Sequence, residues 1–316
     1  MPRSSWTYKD MLEVLAEDVM LNKYHMPVML GEIMRYLDPR PGETIVDATV
    51  GTAGHSLEIA RQIVPSGRLI AIDRDRQSLS VASERLSSSG INCEFVHANF
   101  MELDAVLSGL GVSRIDGIVF DLGISSFQLE DAQRGFSFQS RGPLDMRLDT
   151  DSYISAYDLV NNLNEEEISA ILWNFGQERW HNRIAHLLVK ERQRHPISTT
   201  AELSDIVLRA IPHRYRSYRI HPATRTFQAV RIAVNRELEA LGTAIEKAIA
   251  LLDKGGRICV ISFHSLEDRI VKLSFRKAAL EEALRIITPK PLPPSRGEVE
   301  ENPSSRSAKL RVGERL

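Results

Sequence analysis

Cysteine is nearly missing from this 316-residue chain: Cys93 and Cys259 are its only two, each inside an apolar run and neither at metal-ligand spacing. A disulfide-stapled fold and a cysteine-based zinc site are therefore excluded, and both thiols are expected to be inert core groups. No stretch approaches the ~18 consecutive apolar residues of a membrane span, and Met1 to Asp10 holds no signal-like hydrophobic region, so a cytoplasmic location without membrane contact is expected. Excess charge is absent too. A formal net charge of −2 excludes a generally basic nucleic-acid binder, so any anionic partner must be held by local clusters. The spaced three-glycine turn of dinucleotide-binding proteins is also missing.

What is present is an ordinary globular composition, 43% hydrophobic and 26% charged. From Thr44 the pattern alternates: strand Thr44 to Ala48, helix His55 to Ile63, strand Arg68 to Asp73, helix Arg76 to Leu86, then strands Cys93 to His97 and Gly117 to Asp121. Such alternation predicts right-handed parallel crossovers and a doubly wound sheet. It stops for over a hundred residues. Asn164 caps a predicted helix whose apolar stripe is Ile168, Ile171, Leu172 and Phe175, and further helices are predicted over 180–193, 200–210 and, as one element, 222–252. Sheet grammar resumes at Gly255-Gly256, read as ending a helix before the strand to Phe263, with Ser265 to Asp268 as the next helix start. Pro289 to Pro303 reads as a mobile loop and Arg306 to Leu316 as a basic tail. At the other end, Met11 to Leu21 fits a short amphipathic helix in an appended segment, residues 1–24, to which no chemistry is assigned.

Three strand ends carry chemistry, because ligands of open α/β sheets bind beyond the carboxyl ends of the strands. The first leads through Asp47-Ala48-Thr49-Val50-Gly51-Thr52-Ala53-Gly54-His55, a small-residue turn that lets a ligand approach the backbone. The second ends in Asp73, nineteen residues after Gly54, where a carboxylate accepts hydrogen bonds from ribose hydroxyls. Together they fit an adenosine-containing cofactor. With Asp47 placed to meet a cationic group rather than a pyrophosphate, S-adenosylmethionine suits the turn better than NAD. The third strand end opens Asp121-Leu122-Gly123-Ile124-Ser125-Ser126-Phe127-Gln128-Leu129, which supplies an acceptor and an amide near the expected sulfonium. Phe100 is placed to line the adenine. His264, at the end of the last strand, reads as a general base or as a structural hydrogen-bonding group.

The span Arg209 to Arg236 holds arginines 209, 214, 216, 219, 225, 231 and 236, with His213, His221, Tyr215, Tyr218 and Phe227 interleaved and no acidic residue. That combination predicts a surface for RNA or single-stranded nucleic acid, extended by Arg306, Lys309, Arg311 and Arg315 of the tail.

The motifs His25-Met26-Pro27-Val28, Asp47 to Ser56, Asp121 to Leu129, Arg134 to Phe138, Gly142 to Arg147, His221 to Ala229, Ser262 to Lys272 and Ser305 to Arg311 stand in one order. In these the chain resembles the MraW/RsmH family of ribosomal small-subunit RNA cytosine-N4 methyltransferases, over about His25 to Arg315. The resemblance implies an α/β class I S-adenosylmethionine-dependent methyltransferase domain, residues 25–130 and 245–316, interrupted by a helical RNA-recognition domain, residues 131–244. It implies an enzyme that methylates a cytosine N4 in the decoding region of 16S rRNA, with the small ribosomal subunit as partner and no obligatory protein partner. Carried over by motif, cofactor contacts fall on Ala53, Gly54, His55, Asp73, Phe100, Asp121 and Gln128, with Asp121 as the candidate catalytic group. RNA contacts are placed on Arg214, Arg216, Arg219, Arg225, Arg306, Lys309 and Arg311, and Tyr215, Tyr218 or Phe136 as stacking partners for the unstacked base. Two positions depart from the family pattern: Ala53 stands for a usual glycine and Ser304 for a usual arginine. The alanine is compatible with binding if its local φ is negative. Two rivals remain: a Rossmann-type oxidoreductase using the same turn and ribose carboxylate, and a non-catalytic RNA-binding or ribosome-assembly factor for which Asp121 is idle.

Overall fold

The computed structural model describes residues 26–87, 89–216 and 220–316. The expected N-terminal helix, His25, Tyr218 and Arg219 lie outside the described residues. Seven strands form one sheet: β1 Thr44–Asp47, β2 Arg68–Asp73, β3 Asn92–His97, β4 Ile115–Asp121, β5 Leu252–Ser262, β6 Leu284–Ile286 and β7 Lys309–Arg315, in the order β3-β2-β1-β4-β5-β7-β6. β1 to β5 run parallel, and β7 enters antiparallel between β5 and β6. This is the expected class I methyltransferase sheet. Its order reverses between β1 and β4, so the crevice for a ligand opens where Asp47 and Asp121 end neighbouring strands.

The strands are apolar on both faces, which is why they read as runs rather than alternations. Val46, Ile70, Phe120 and Val260 face one core, whereas Ile45, Leu69, Val119 and Cys259 face the other. Helices α1 Leu30–Leu37, α2 Gly54–Ile63 and α3 Arg76–Leu86 contribute Ile33, Ile59 and Ala82 to the second core, while α4 Leu103–Gly109 closes the first through Leu103 and Leu107. Burial pushes the Cys93 and Cys259 thiols up to about 12, in keeping with inert core groups.

After the short α5, Ser126–Glu130, the chain builds a third core from α6 Ala156–Asn162, α7 Glu165–Gly176, α8 His181–Arg192, α9 Thr200–Ala210 and α10 Thr224–Asn235. Asn164 caps α7 as expected: its side chain accepts from Glu167 N–H at 2.9 Å, and Glu167 accepts from Asn164 N–H at 2.8 Å. The single helix expected over 222–252 is two, because Arg236 adopts φ 49° and ends α10. The next helix, α11 Glu237–Leu251, lays Leu241, Ala244, Ile245 and Ala248 on the sheet. We therefore place the end of the insert at Arg236, so that Leu241 and Ala244 belong with the sheet.

Four further expectations change. The glycine pair does not end a helix: α11 stops at Leu251 and β5 runs through Gly255 and Gly256. Gly256 is required by close approach, since a Cβ there would meet Asp116 O at 2.8 Å. The cap of α12, Ser265–Leu280, is His264, whose Nδ1 accepts from Glu267 N–H at 3.3 Å. The proline-rich stretch is no free loop, because it contains α13 Arg296–Glu301 and is tied down by Leu292 bridging Leu310 and by Asn302 Nδ2 donating to Met26 O. The basic tail is β7, an interior strand whose alternate residues Leu310 and Val312 are fully buried.

Candidate active site

One cleft at the carboxyl edge of the sheet is lined by Thr49, Gly51, Gly54, His55, Asp73, Phe100, Asp121, Gln128, Phe263 and Glu267, among others. Six of the seven expected cofactor positions thus meet there. The seventh, Ala53, sits behind the wall with its methyl in the core, fully buried at φ 66°. The condition of a negative φ fails: this alanine occupies the left-handed region that the family's glycine adopts freely. Next to it, Gly54 has no room for a side chain, since a Cβ would lie 2.9 Å from that of Pro27.

The turn is fastened to the neighbouring strand ends. Gly51 N–H donates to Asp73 Oδ2 at 2.8 Å and Asp75 N–H to Asp73 Oδ1 at 2.9 Å, which fixes the carboxylate while leaving each oxygen a lone pair for a hydroxyl. Burial above all raises Asp73 to about 6, with Asp75 and Asp47 adding repulsion. Asp47 is not available to a ligand: at 2% exposure, it accepts from Ser56 Oγ at 2.6 Å and Thr49 N–H at 3.1 Å, so it stabilises the turn from inside. Thr49 Oγ1 in turn accepts from Asp121 N–H at 2.7 Å.

Asp121 ends β4 with a quarter of its side chain open to the cleft. Its Oδ2 lies 3.8 Å from His55 Nδ1, while Oδ1 is buried with no hydrogen-bond partner among the described residues. Burial, the largest influence, and repulsion from Asp47 and Glu267 raise its carboxyl to about 6 against the opposing pull of His55. His55, whose Nε2 is 2.9 Å from Val28 O, links this acid to the segment before α1. Gln128 lines the cleft but is used structurally: its Nε2 donates to Asp75 Oδ2 at 2.7 Å and its Oε1 accepts from Ser125 N–H at 2.9 Å. Phe100 lines the cleft while its ring meets Phe120 edge-on at 5.8 Å.

Sequence reasoning missed Glu267 and Glu237 as cleft residues. Burial works against the charge of Glu267, yet His264, Arg231 and the Phe263 N–H together hold its carboxyl below the usual range. Glu237 is clasped by Arg231 through two contacts of 2.9 Å. Ligand atoms of Glu237, His264 and Glu267 lie within 4.8 Å of one another, but the Arg231 guanidinium already supplies their positive counter-charge. His264 is a cap here, and its structural reading is the one the contacts support. The only signal for Glu267 was its place three residues after the capping residue.

A buried tie joins this edge to the insert. Arg134, 5% exposed, pairs with Asp75 at 2.8 Å and donates to the carbonyls of Arg147 and Leu148. Arg134 opens one of the family motifs, but its pairing with Asp75 has no signal in the sequence.

The expected RNA surface is largely dismantled by tertiary pairing. Arg209 pairs with Glu191, Arg231 with Glu237 and Arg236 with Glu239, so acids distant in sequence or just beyond the segment answer its charge. Arg216 donates to the carbonyls of Leu208 and Ile211, and Arg225 to that of Gln177. Arg311 is 5% exposed and bonded to Asp268 at 2.6 Å, with Lys309 3.8 Å from the same carboxylate. Phe136 and Phe227 are core residues at 5% and 4% exposure. Arg214 and Arg306 stay exposed, as does Tyr215.

Residues 22–316 match the model of the MraW methylase family. The chain is 46% identical over 308 residues to a ribosomal RNA small subunit methyltransferase H of Geotalea uraniireducens, covering 93% of this chain and 99% of that one. It is 45% identical over 308 residues to the protein so named in Clostridioides difficile, with the same coverage, and 49% over 307 residues, 92% and 99%, to that of Geobacter sulfurreducens.

Proposed function

Since this chain belongs to the MraW methylase family, we propose that it is an S-adenosylmethionine-dependent methyltransferase of small-subunit rRNA, acting on the N4 of a cytosine in the decoding region. The observation that carries the reading is the Asp121 carboxylate at the end of β4, a quarter open to a cleft also walled by Asp73 and Glu267. With Glu237 matched by Arg231, the three remaining carboxylates around the crevice repel a pyrophosphate and suit a cationic cofactor. The rival oxidoreductase is thereby disfavoured. S-adenosylmethionine supplies a methyl group made electrophilic by its sulfonium.

Asp73 would hold ribose hydroxyls, the backbone of the turn Thr49 to Gly54 would let the cofactor lie against it, and Phe100 would flank the adenine. The target amine is a poor nucleophile because its lone pair is conjugated with the pyrimidine ring. A hydrogen bond from N4–H to the open side of the Asp121 carboxylate would favour pyramidalisation and point the lone pair at the methyl group. On transfer of the methyl group to N4, with the thioether as leaving group, one N4 proton would leave toward this carboxylate and on to water. Glu267, held ionised, opposes any charge on Asp121 and keeps its proton affinity raised.

The test is incubation with undermethylated small subunits and labelled cofactor, followed by nucleoside mass spectrometry. N4-methylcytidine is expected. Label on cytosine C5 or a ribose 2′-oxygen overturns the N4 assignment, and no label at all favours the non-catalytic assembly factor.

A further inference from the structure

We propose that Trp180, Tyr215 and the guanidiniums of Arg179, Arg183 and Arg214 form a binding site for single-stranded RNA flanking the target base. The proposal rests on the rRNA reading above and assigns a place to its substrate that the basic segment alone did not. The Trp180 and Tyr215 rings lie 5.2 Å apart at 46°. Arg179 stands 5.7 Å from the Trp180 centroid and 5.6 Å from that of Tyr215, Arg183 is 5.7 Å from Trp180, and Arg214 is 4.8 Å from Tyr215. All three arginines are exposed, and Tyr215 shows 45% of its surface.

Charge separates this cluster from the other arginines of the insert. Arg209, Arg231 and Arg236 each meet a carboxylate, whereas Arg179, Arg183 and Arg214 meet none among the described residues. Three unneutralised guanidiniums are thus gathered around the exposed Tyr215 ring and the half-buried Trp180 ring. A phosphate pairs with such free guanidiniums, and a nucleobase stacks on ring or guanidinium faces alike. RNA single strands offer both groups at each residue.

The position also fits. Gln177, two residues before Arg179, accepts from Ser265 Oγ at 3.4 Å, and Ser265 starts the helix that carries Glu267 into the cleft wall. The segment that carries the cluster is thus tied to the helix that walls the cleft. The cluster escaped sequence reasoning because Arg179, Trp180 and Arg183 lie about thirty residues before the arginine-rich segment that drew attention.

The experiment uses the full chain, a single-stranded oligoribonucleotide of the target region and undermethylated small subunits. The variant Arg179→Gln/Arg183→Gln/Arg214→Gln is expected to weaken oligoribonucleotide binding at least tenfold near 0.15 M salt and to lower the salt slope by about 2, since each single-strand phosphate contact contributes ~0.7. Affinity for S-adenosylmethionine and the melting temperature stay unchanged. Tyr215→Phe keeps the affinity and Tyr215→Ser loses it, which separates stacking from a hydroxyl contact. An unchanged slope in the triple variant overturns the proposal. So does normal oligoribonucleotide binding with loss of assembled subunits, which would assign the cluster to a ribosomal protein. Absence of methylation by the wild-type chain bears only on the function proposed above, because binding is read independently.

Discussion

At Asp121, stability and activity pull in opposite directions. Its folded-state value of about 6 exceeds the ~3.9 of an unfolded aspartate, so the folded chain binds the proton more tightly. The contribution to stability is thus complete below pH ~4 and is lost as pH rises through about 6. Asp121→Asn is expected to stabilise the cofactor-free protein by on the order of 1–3 kcal/mol near pH 7.5, in denaturant titrations, the gain shrinking toward pH 4–5. The same variant loses turnover by tenfold or more at saturating S-adenosylmethionine; full turnover sinks the acceptor role. For the wild type, kcat/KM should rise with pH through about 6 as the carboxylate ionises. Ala53 is the second residue-scale test. Its φ of 66° carries strain that glycine lacks, so Ala53→Gly is expected to raise stability by roughly 1 kcal/mol, measured as a shift in midpoint.

Among elements, the decisive object is the seam between sheet and insert. Asp75 caps α3 through Gln77 N–H, holds the Gln128 amide and pairs with Arg134, all at 2% exposure. Asn235 fastens the other side, donating to Met146 O at 2.7 Å and accepting from Leu148 N–H at 2.8 Å. Removing one partner of a buried pair leaves a charge without compensation, so Arg134→Met should cost about 3–5 kcal/mol in chemical unfolding. Adding Asp75→Asn to that variant recovers part of the loss; strictly additive costs would refute the coupling. Because Gln128 and Asp73 share this seam, weakened cofactor binding should accompany the destabilisation.

Over the whole molecule, the C-terminal residues close the sheet instead of reaching for RNA. β7 pairs with β5 from Arg257↔Glu314 to Ser262↔Lys309 and carries β6 on its far side. Deleting residues 309–316 leaves an unpaired edge on a buried strand, so an insoluble or unfolded product is expected on expression. Soluble, folded protein with merely weaker RNA affinity would restore the tail reading. The Arg257 and Arg285 side chains meeting Glu314 show the same point, since the segment's charges are answered within the fold.

The parallel sheet was legible in sequence because apolar runs, turns and strand-end acids repeat at short range: Asp73 and Asp121 stand where the pattern puts them, and Asn164 caps its helix as read. The split at Arg236 was not, since one residue in the left-handed region leaves a helical apolar pattern intact on both sides. Family motifs located six cleft residues, whereas Glu237, Glu267 and the Arg134–Asp75 tie needed coordinates. By itself, then, the sequence determined the parallel strands, the crevice at their ends and its strand-end acids Asp73 and Asp121, all set by local periodicity and strand order. Only the tertiary structure decided which arginines keep their charge for a partner. Neutralisation depends on carboxylates such as Glu191 and Asp268, far along the chain, that folding brings within 4 Å.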